Sequence, residues 1–445
     1  MQRQQEYVLR SVEERGVRLV RLWFTDVVGQ LKSFAITPAE LENAFAEGMH
    51  FDGSSIDGYS RVQESDVLAR PDPGTFELLP WTVGEHGENS ARMFCDIDTP
   101  TGEPFAGDPR YVLRRNLQRA LKLGYTFMAA PEMEFFYFRD GDPTQPPQPL
   151  DAGSYFDLTM ADMTSDLRRR TISMLEAMGI PVEYSFHEDS PSQHEIDLRY
   201  TNALEMADNV MTFRLLVREI ALERGCYATF MPKPLTGVQG SGMHTHLSLF
   251  RDDENAFHDP ETGGLSVVAR QFIAGLLRHA REITAVTCQL VNSYKRLIVG
   301  SEAPPYVTWA HNNRSALIRV PLGKRNKPSS ARIEYRAPDP ACNPYLAFSV
   351  ILAAGLRGIE EGYELPPEAI SNLYELTPAE CAKLGVVPLP GSLAEALDEM
   401  ERSELVLDTL GDHIFEWFLR NKRVEWNDYR SRVTPFELTR YLPSW

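Results

Sequence analysis

A chain of 445 residues exceeds one hydrophobic core of ordinary size, so two domains are expected. The net charge of −18 argues against nucleic acid or an anionic membrane as partner, and five scattered cysteines without a CxxC pair argue against a disulfide framework or a cysteine-rich zinc site. The opening MQRQQEYVLR has no apolar signal core and no apolar run is long enough to span a bilayer, so a cytoplasmic enzyme with reduced thiols is expected.

Residues 2–15 are predicted helical, followed by strands Val17–Phe24 and Leu31–Ile36 around a turn at Asp26–Gly29. Pro38 opens a short helix to about Glu47. Phe51–Asp66 (FDGSSIDGYSRVQESD) is a long polar loop, either functional or a solvated connector, and Arg70–Gly74 is a turn. A strand at Ala91–Ile97 precedes a Thr-, Gly- and Pro-rich boundary, dividing the chain into 1–103 and 104–445.

Beyond the boundary, helices and strands alternate. Helices are predicted over Pro109–Leu123, Met163–Met178, Ala203–Arg224 and Leu265–Val286, with Gly179 stopping the second. Strands are predicted around PEMEFFYF (Pro131–Phe138) and over Val182–His187, Glu195–Tyr200, Met243–Phe250, Ala316–Val320 and Arg332–Arg336. Arg139–Pro149 is a Pro-rich surface excursion, Asn292–Pro305 is loop-rich, and helices dominate from Pro344 onward.

The chemistry concentrates where a strand carries charge at every second residue. Glu132 and Glu134 share one face of an otherwise apolar strand, since side chains alternate. Unpaired carboxylates buried together are expensive, and a hard divalent cation relieves the repulsion; a solvated edge strand is the plainer alternative. The same pattern recurs in Glu195–Asp197–Arg199, in His244–His246–Ser248 and in Arg332–Glu334–Arg336. Alone, a strand histidine is usually a core residue and a Glu between arginines an ion pair. Together, these rows predict one polar cavity in which Glu132, Glu134, Glu188, Glu195, Glu334 and His244 hold two or more divalent ions. Arg296, Arg314, Arg319, Arg332 and Arg336 would then bind carboxylates or phosphates, the arrangement phosphoryl transfer needs. Neither a Walker loop nor GxGxxG is present, so any nucleotide site is of another kind.

The ordered set FDGSSI, PEMEFF, GSGMHTHLSL, NSYKRL, EAP, NRSALIRVP, RIEYR and NPYLA resembles type I glutamine synthetase across essentially the whole chain. That resemblance implies an α+β fold: a small N-terminal β-grasp domain, and a large C-terminal catalytic α/β domain with a curved antiparallel sheet. It implies ligation of ammonium to the γ-carboxylate of glutamate through γ-glutamyl phosphate, with ATP and two or three Mg²⁺ or Mn²⁺ per active site. It further implies a homododecamer of two hexameric rings, with active sites between neighbours.

By the same resemblance, one metal would be held by Glu134, Glu188 and Glu195, and another by Glu132, His244 and Glu334. Gly240, Arg296, Arg314 and Arg336 would contact glutamate and the γ-phosphate; Arg319 and Arg332 the ATP phosphates; His246 and Ser248 the nucleotide. Asp52, reaching over from a neighbouring subunit, would help bind ammonium and take its proton, with Tyr155 and Glu302 as further walls of that pocket. Four features depart from the common pattern or mark subtype. Gln239 stands where the family usually has Asn, and the Glu188–Glu195 loop is about one residue shorter than in the enterobacterial pattern. Chain length and Arg61 resemble the feedback-inhibited subtype, while Tyr374 has imperfect surroundings for an adenylylation site. The opening QQEYVLR…VRLVRLWFTDV is similar to actinobacterial relatives that glutamylate polyamines or ethanolamine, so a γ-glutamyl-amine synthetase is the alternative.

Overall fold

A computed structural model describes residues 2–59, 66–82, 89–158, 163–298, 303–311, 313–323, 327–369, 377–383 and 385–445. Arg61, Glu302 and Tyr374 lie outside the described residues.

The N-terminal part is a six-stranded sheet built from β1 (Val17–Thr25), β2 (Leu31–Ile36), β3 (Met49–Asp52), β4 (Asp66–Pro71), β5 (Glu77–Leu78) and β6 (Asn89–Asp98). Its order is β2-β1-β6-β4-β3, with β5 also on β6; β1 and β6 run parallel and the other pairs antiparallel. Alternation along β1 sends Val20, Leu22 and Phe24 into a core shared with Val8 and Val12 of helix α1 (Gln2–Glu14) and Leu41 of α2 (Leu41–Ala46). Trp23, on the opposite face, stacks edge-on against Phe94 and joins the larger core of the rest of the chain. Two features depart from the sequence reading. Asp66–Pro71 is a strand rather than the end of a loop and the start of a turn, because Val67, Leu68 and Ala69 are buried and Pro71 sits at its last residue. The segment after Pro38 begins as a 3₁₀ turn before α2.

The second part is a ten-stranded sheet centred on β7 (Thr126–Phe138). Its path is β14 (Trp309–Ala310), β15 (Ile318–Arg319), β16 (Ile333–Tyr335), β12 (Thr245–Arg251), β7, β9 (Gln193–Leu198) and β8 (Val182–His187). Short strands β10 (Thr201–Asn202) and β11 (Tyr227–Thr229) also pair with β7, and β13 (Glu254–Asn255) pairs with β12. All pairs are antiparallel except β14–β15. The expected strand at Ala316–Val320 contracts to β15, and His244 falls one residue before β12 rather than within it.

Helices α3 (Pro109–Lys122), α4 (Met163–Ala177), α5 (Ala203–Glu223), α6 (Val267–Thr287) and α7 (Pro344–Glu360) cover the sheet and each other. Start signals place them. Asp108 and Asn343 cap α3 and α7 through backbone N–H groups, each followed by proline at the first helical position. The α6–α7 contact is close because a Cβ at Gly275 would lie 2.2 Å from the Ala354 carbonyl oxygen. Among the described residues, five further helices follow: α8 (Pro378–Lys383), α9 (Leu393–Glu401), α10 (Glu404–Leu410), α11 (Asp412–Ser431) and α12 (Pro435–Tyr441).

A buried ion network ties the two sheets. Arg110, on α3, donates to Asp72 (2.9 Å) and Asp96 (2.5 Å) of the N-terminal part and to Asp208 of α5 (3.0 and 3.1 Å). Tyr345 Oη–H donates to the same Asp208 at 2.6 Å. Removing one partner of a buried pair leaves charge without compensation. Arg110→Met should therefore cost about 3–5 kcal/mol, read as a lowered midpoint in urea unfolding; an unchanged midpoint would show that the network does not hold the two sheets together.

Candidate active site

The centre of β7 carries the site. Pairing with β9 sets Glu132 opposite Asp197 and Glu134 opposite Glu195, so the glutamate row of one strand meets the acidic row of the next on one face. On the other side, β12 and β16 set His246 opposite Glu334, and Arg319 of β15 lies opposite Glu334 in turn. Glu132 N–H donates to the His244 carbonyl at 2.8 Å and Glu134 N–H to that of Gly242, which fixes the approach of GSGMH to the strand. Glu188 sits in the β8–β9 hairpin turn, where its backbone N–H donates to Gln193 O at 2.8 Å.

Burial makes this row costly. Glu334 is 0% exposed, Glu195 5%, Glu134 6% and Glu188 9%. Burial, and next Glu188, push the Glu134 carboxyl well above the usual carboxylate range, although Gly242 N–H (2.8 Å) and Gln193 Nε2–H (3.1 Å) both donate to it. Burial and Asp197 raise Glu195 in the same way, while burial and Glu132 push Asp197 up to about 7. Burial also acts on Glu132 and Glu334, but cations outweigh it there: His246 holds Glu132 down, and Arg336 holds Glu334 down. His246 Nε2–H donates to Glu132 at 2.7 Å; Arg336 reaches Glu334 at 2.5 Å, and Arg319 also bonds Glu334.

His244 faces three carboxylates. Its Nδ1 stands 3.4 Å from Glu132, 3.8 Å from Glu134 and 3.9 Å from Glu334. Burial and then Arg336 bring its pKa down to about 4, so at neutral pH the ring is uncharged, the form that ligates metals. Two sets of ligand atoms lie within 4.8 Å of one another: Glu132, His244 and Glu334, and Glu132, Glu195 and Asp197. Hard carboxylate oxygens that raise one another's pKa, beside a neutral imidazole, fit divalent cations. Asp197 was read in the sequence as part of a charged row but not as a metal-facing group; its register opposite Glu132 places it there.

The remaining predicted residues divide into those gathered around this face and those elsewhere. Arg296 donates to the Ala337 carbonyl (2.8 Å) and lies 3.4 Å from His244 Nε2. The Gly240 carbonyl accepts from Gln193, and a Cβ there would lie 2.3 Å from the Pro232 carbonyl oxygen, so only glycine fits. Tyr155 lies near Arg314 and Glu188: burial and Glu188 raise its hydroxyl pKa, while Arg314 opposes them. Arg332 Nε lies 3.3 Å from His246 Nδ1. Together with Ser248, Arg319, Glu132 and Asp197, this pair borders a cavity of about 470 Å³ that continues past Tyr184, Tyr200 and Lys327. A larger cavity of about 930 Å³, between α5, α11 and the N-terminal sheet, contains none of the predicted site residues. Asp52 stands exposed at the end of β3 in the N-terminal sheet, accepting from Ser54 N–H at 2.8 Å.

The family model described as "Glutamine synthetase, catalytic domain" matches residues 106–441, and "Glutamine synthetase, beta-Grasp domain" matches 16–100. The chain belongs to the glutamine synthetase family. It is 58% identical to the glutamine synthetase of Mycolicibacterium smegmatis over 99% of this chain and 100% of that protein. With the Thermotoga maritima glutamine synthetase it shares 48% identity over 98% and 99%. Among solved structures it resembles "Apo GmaS without ligand" (TM-score 0.87, 31% identity) and "GmaS/ADP complex-Conformation 1" (TM-score 0.88, 30% identity), each over 98% of this chain and 99% of that one. The β-grasp and catalytic parts of this family correspond to the two sheets.

Two predictions follow from the acidic face. Glu134→Gln removes one repelling charge and one ligand, so the metal-free variant should melt no lower than the unmodified protein. It should lose most of the gain from Mn²⁺, about 2.7 kcal/mol at a hundredfold excess over Kd; an undiminished gain in thermal melts refutes the ligand role. Glu134, Glu195 and Asp197 have folded-state pKa values above their unfolded ones, so their contribution is complete at acid pH and lost as pH rises through the folded values, about 7 for Asp197. Metal-free protein should thus lose thermal stability between about pH 5 and 8, and saturating Mn²⁺ should remove that loss while releasing protons. Calorimetry in two buffers of different ionisation enthalpy measures the release.

Proposed function

We propose that this protein ligates ammonium to the γ-carboxylate of L-glutamate at the expense of ATP, forming glutamine, ADP and phosphate by way of γ-glutamyl phosphate. The observation that carries the reading is the buried acidic face of β7, which meets His244 and is flanked by arginines at a cavity. In this reading Glu134, Glu188 and Glu195 hold one divalent ion, and Glu132, His244 and Glu334 a second, Mg²⁺ or Mn²⁺. Bound there, such ions would neutralise phosphate oxygens and make the γ-phosphorus more electrophilic.

The chain's own groups do the rest. Arg319 and Arg332, with His246 and Ser248, receive the ATP phosphates and nucleotide in the 470 Å³ cavity; a neighbouring structure named as an ADP complex supports an adenine nucleotide as ligand. Gly240, Arg296, Arg314 and Arg336 orient glutamate so that a γ-carboxylate oxygen attacks the γ-phosphorus and ADP departs. Ammonia then attacks the acyl carbon and phosphate leaves. Before that attack Asp52 of a neighbouring copy takes a proton from ammonium, and Tyr155 and Glu302 complete the pocket. An acyl phosphate must meet amine before water, so a site closed between subunits suits the chemistry. In this reading the protein is an oligomer, a dodecamer of two rings, with small-molecule substrates as the reaction partners and the cytoplasm as its place. The β-grasp and catalytic domains meet near residue 103. Among the described residues no helix is long and apolar enough to cross a membrane.

The test supplies purified protein with ATP and glutamate, then adds ammonium, methylamine or putrescine and follows phosphate and the amide product. Ammonium should give glutamine at the highest kcat/KM; phosphate release only with a larger amine rejects this acceptor in favour of γ-glutamyl-amine synthesis. Asp52→Ala should lower amine transfer about 10²-fold or more and acyl-phosphate formation far less; equal losses in both half-reactions argue against a base at this position.

A further inference from the structure

Behind the acidic face, on the opposite side of the β8–β9 hairpin, lies a second cluster: Asp151, His187 and His194. His187 and His194 are directly paired across the hairpin, one residue from Glu188 and from Glu195 respectively. Asp151 opens the segment that leads to Tyr155. One carboxylate oxygen of Asp151 accepts from His187 Nε2–H (2.9 Å), Ser192 N–H (2.8 Å) and Gly153 N–H (3.1 Å).

The three ligand atoms lie within 4.8 Å of one another, so a third metal site must be weighed first. Arg168 decides against it. A guanidinium has no acceptor, so Arg168 Nη1, 2.5 Å from His194 Nδ1, must donate to that nitrogen. The proton of the neutral ring is then on Nε2, which faces Asp151 at 3.7 Å and has no lone pair for a cation. His187 has acceptors at both nitrogens, the Glu188 carbonyl at 2.6 Å and Asp151 at 2.9 Å, so it carries protons on both. The cluster is a proton-bearing clasp.

The clasp joins the elements that carry substrate- and metal-facing groups. Leu150 and Asp151 N–H both donate to Ser192 Oγ (2.6 and 2.8 Å), and Phe156 N–H donates to the His187 carbonyl at 3.0 Å. Gly153 lies flat on the imidazole: a Cβ there would stand 2.6 Å from His187 Nε2. Phe156 adopts φ +61°, a left-handed conformation costly for a bulky side chain, and packs with Tyr155 against Phe186. A strained residue persists only where its surroundings over-determine it. Here those surroundings are the His187 carbonyl and the Phe186 ring, both on the strand that the His187–Asp151 pair ties to this segment.

We propose that Asp151 and His187 are positioning residues that bind the 150–157 segment to the Glu188/Glu195 hairpin, so that the amine pocket wall at Tyr155 and the metal ligands move as one body. The proposal rests on the ammonium-ligase reading for its kinetic consequence but not for its structural one. Asp151→Asn keeps the shape and an acceptor for backbone N–H groups but removes the charge that His187 faces. It should raise KM for ammonium about tenfold while KM for ATP and kcat at saturating ammonium change less than about twofold. It should also weaken Mn²⁺ binding severalfold by electron paramagnetic resonance and speed deuterium uptake in 150–157. His187→Gln places an amide donor near the lost Nε2–H and should restore most of the slow exchange; His187→Ala should not. Unaltered exchange and Mn²⁺ affinity in Asp151→Asn and His187→Ala overturn the proposal. So does a proportional fall in every kinetic constant together with Tm, the mark of a merely structural role. If the unmodified protein makes no glutamine, the ligase reading fails on its own, and the exchange and Mn²⁺ measurements still judge the clasp.

Discussion

Repulsion among carboxylates buried on one face of β7 is the constraint around which this molecule is arranged. Two unit charges 4 Å apart cost about 4 kcal/mol at an effective dielectric near 20, and here several acids share a face from which water is largely removed. The protein answers in two ways. On the β12–β16 side it supplies cations: Arg319 and Arg336 neutralise Glu334, and His246 pairs with Glu132. On the β9 side cations weigh less: burial, then Glu188 for Glu134, Asp197 for Glu195 and Glu132 for Asp197, raise these three carboxyls. That asymmetry makes the face receptive to divalent ions, because the charge still unmet is negative and is presented by hard oxygens.

The architecture follows from holding such a face in place. Thirteen residues of β7 give the strand length to pair with β12 toward one end and with β9 toward the other. Its reverse side is aromatic, with Phe135 and Tyr137 packed against Phe213, Phe230 and His194. Dense apolar packing behind a polar face offsets the desolvation in front and leaves the acids few alternative rotamers. The Asp151–His187–His194 cluster links the 150–157 segment to the β8–β9 hairpin at the edge of the sheet.

The two halves are joined with similar economy. Trp23, Val27 and Phe94 from the N-terminal sheet enter the core of the catalytic part, and Arg110 gathers carboxylates from both. A β-grasp domain fixed in this way presents Asp52 on an exposed strand end, away from its own hydrophobic core.

Much of this was legible in the residues alone, because local rules dictate it. Alternation in PEMEFFYF put Glu132 and Glu134 on one face, Pro109 and Pro344 marked helix starts, and the apolar runs of β1 and β6 announced strands. Ordered motifs identified the family. Strand register was not legible: whether Glu132 met Asp197 or a residue one place away depends on pairing between segments some sixty residues apart, which no local pattern encodes. For that reason the sequence does not reveal Asp197 as a neighbour of the metal-facing group, and the polar flanks of Asp66–Pro71 mask a three-residue buried centre, so its pattern resembles loop and turn. The clasp was likewise invisible, because Asp151, His187 and His194 are unremarkable separately and acquire meaning only when the hairpin closes onto the 150–157 segment. Composition and periodicity determined which residues would be buried and charged; long-range pairing alone decided which charges would face one another.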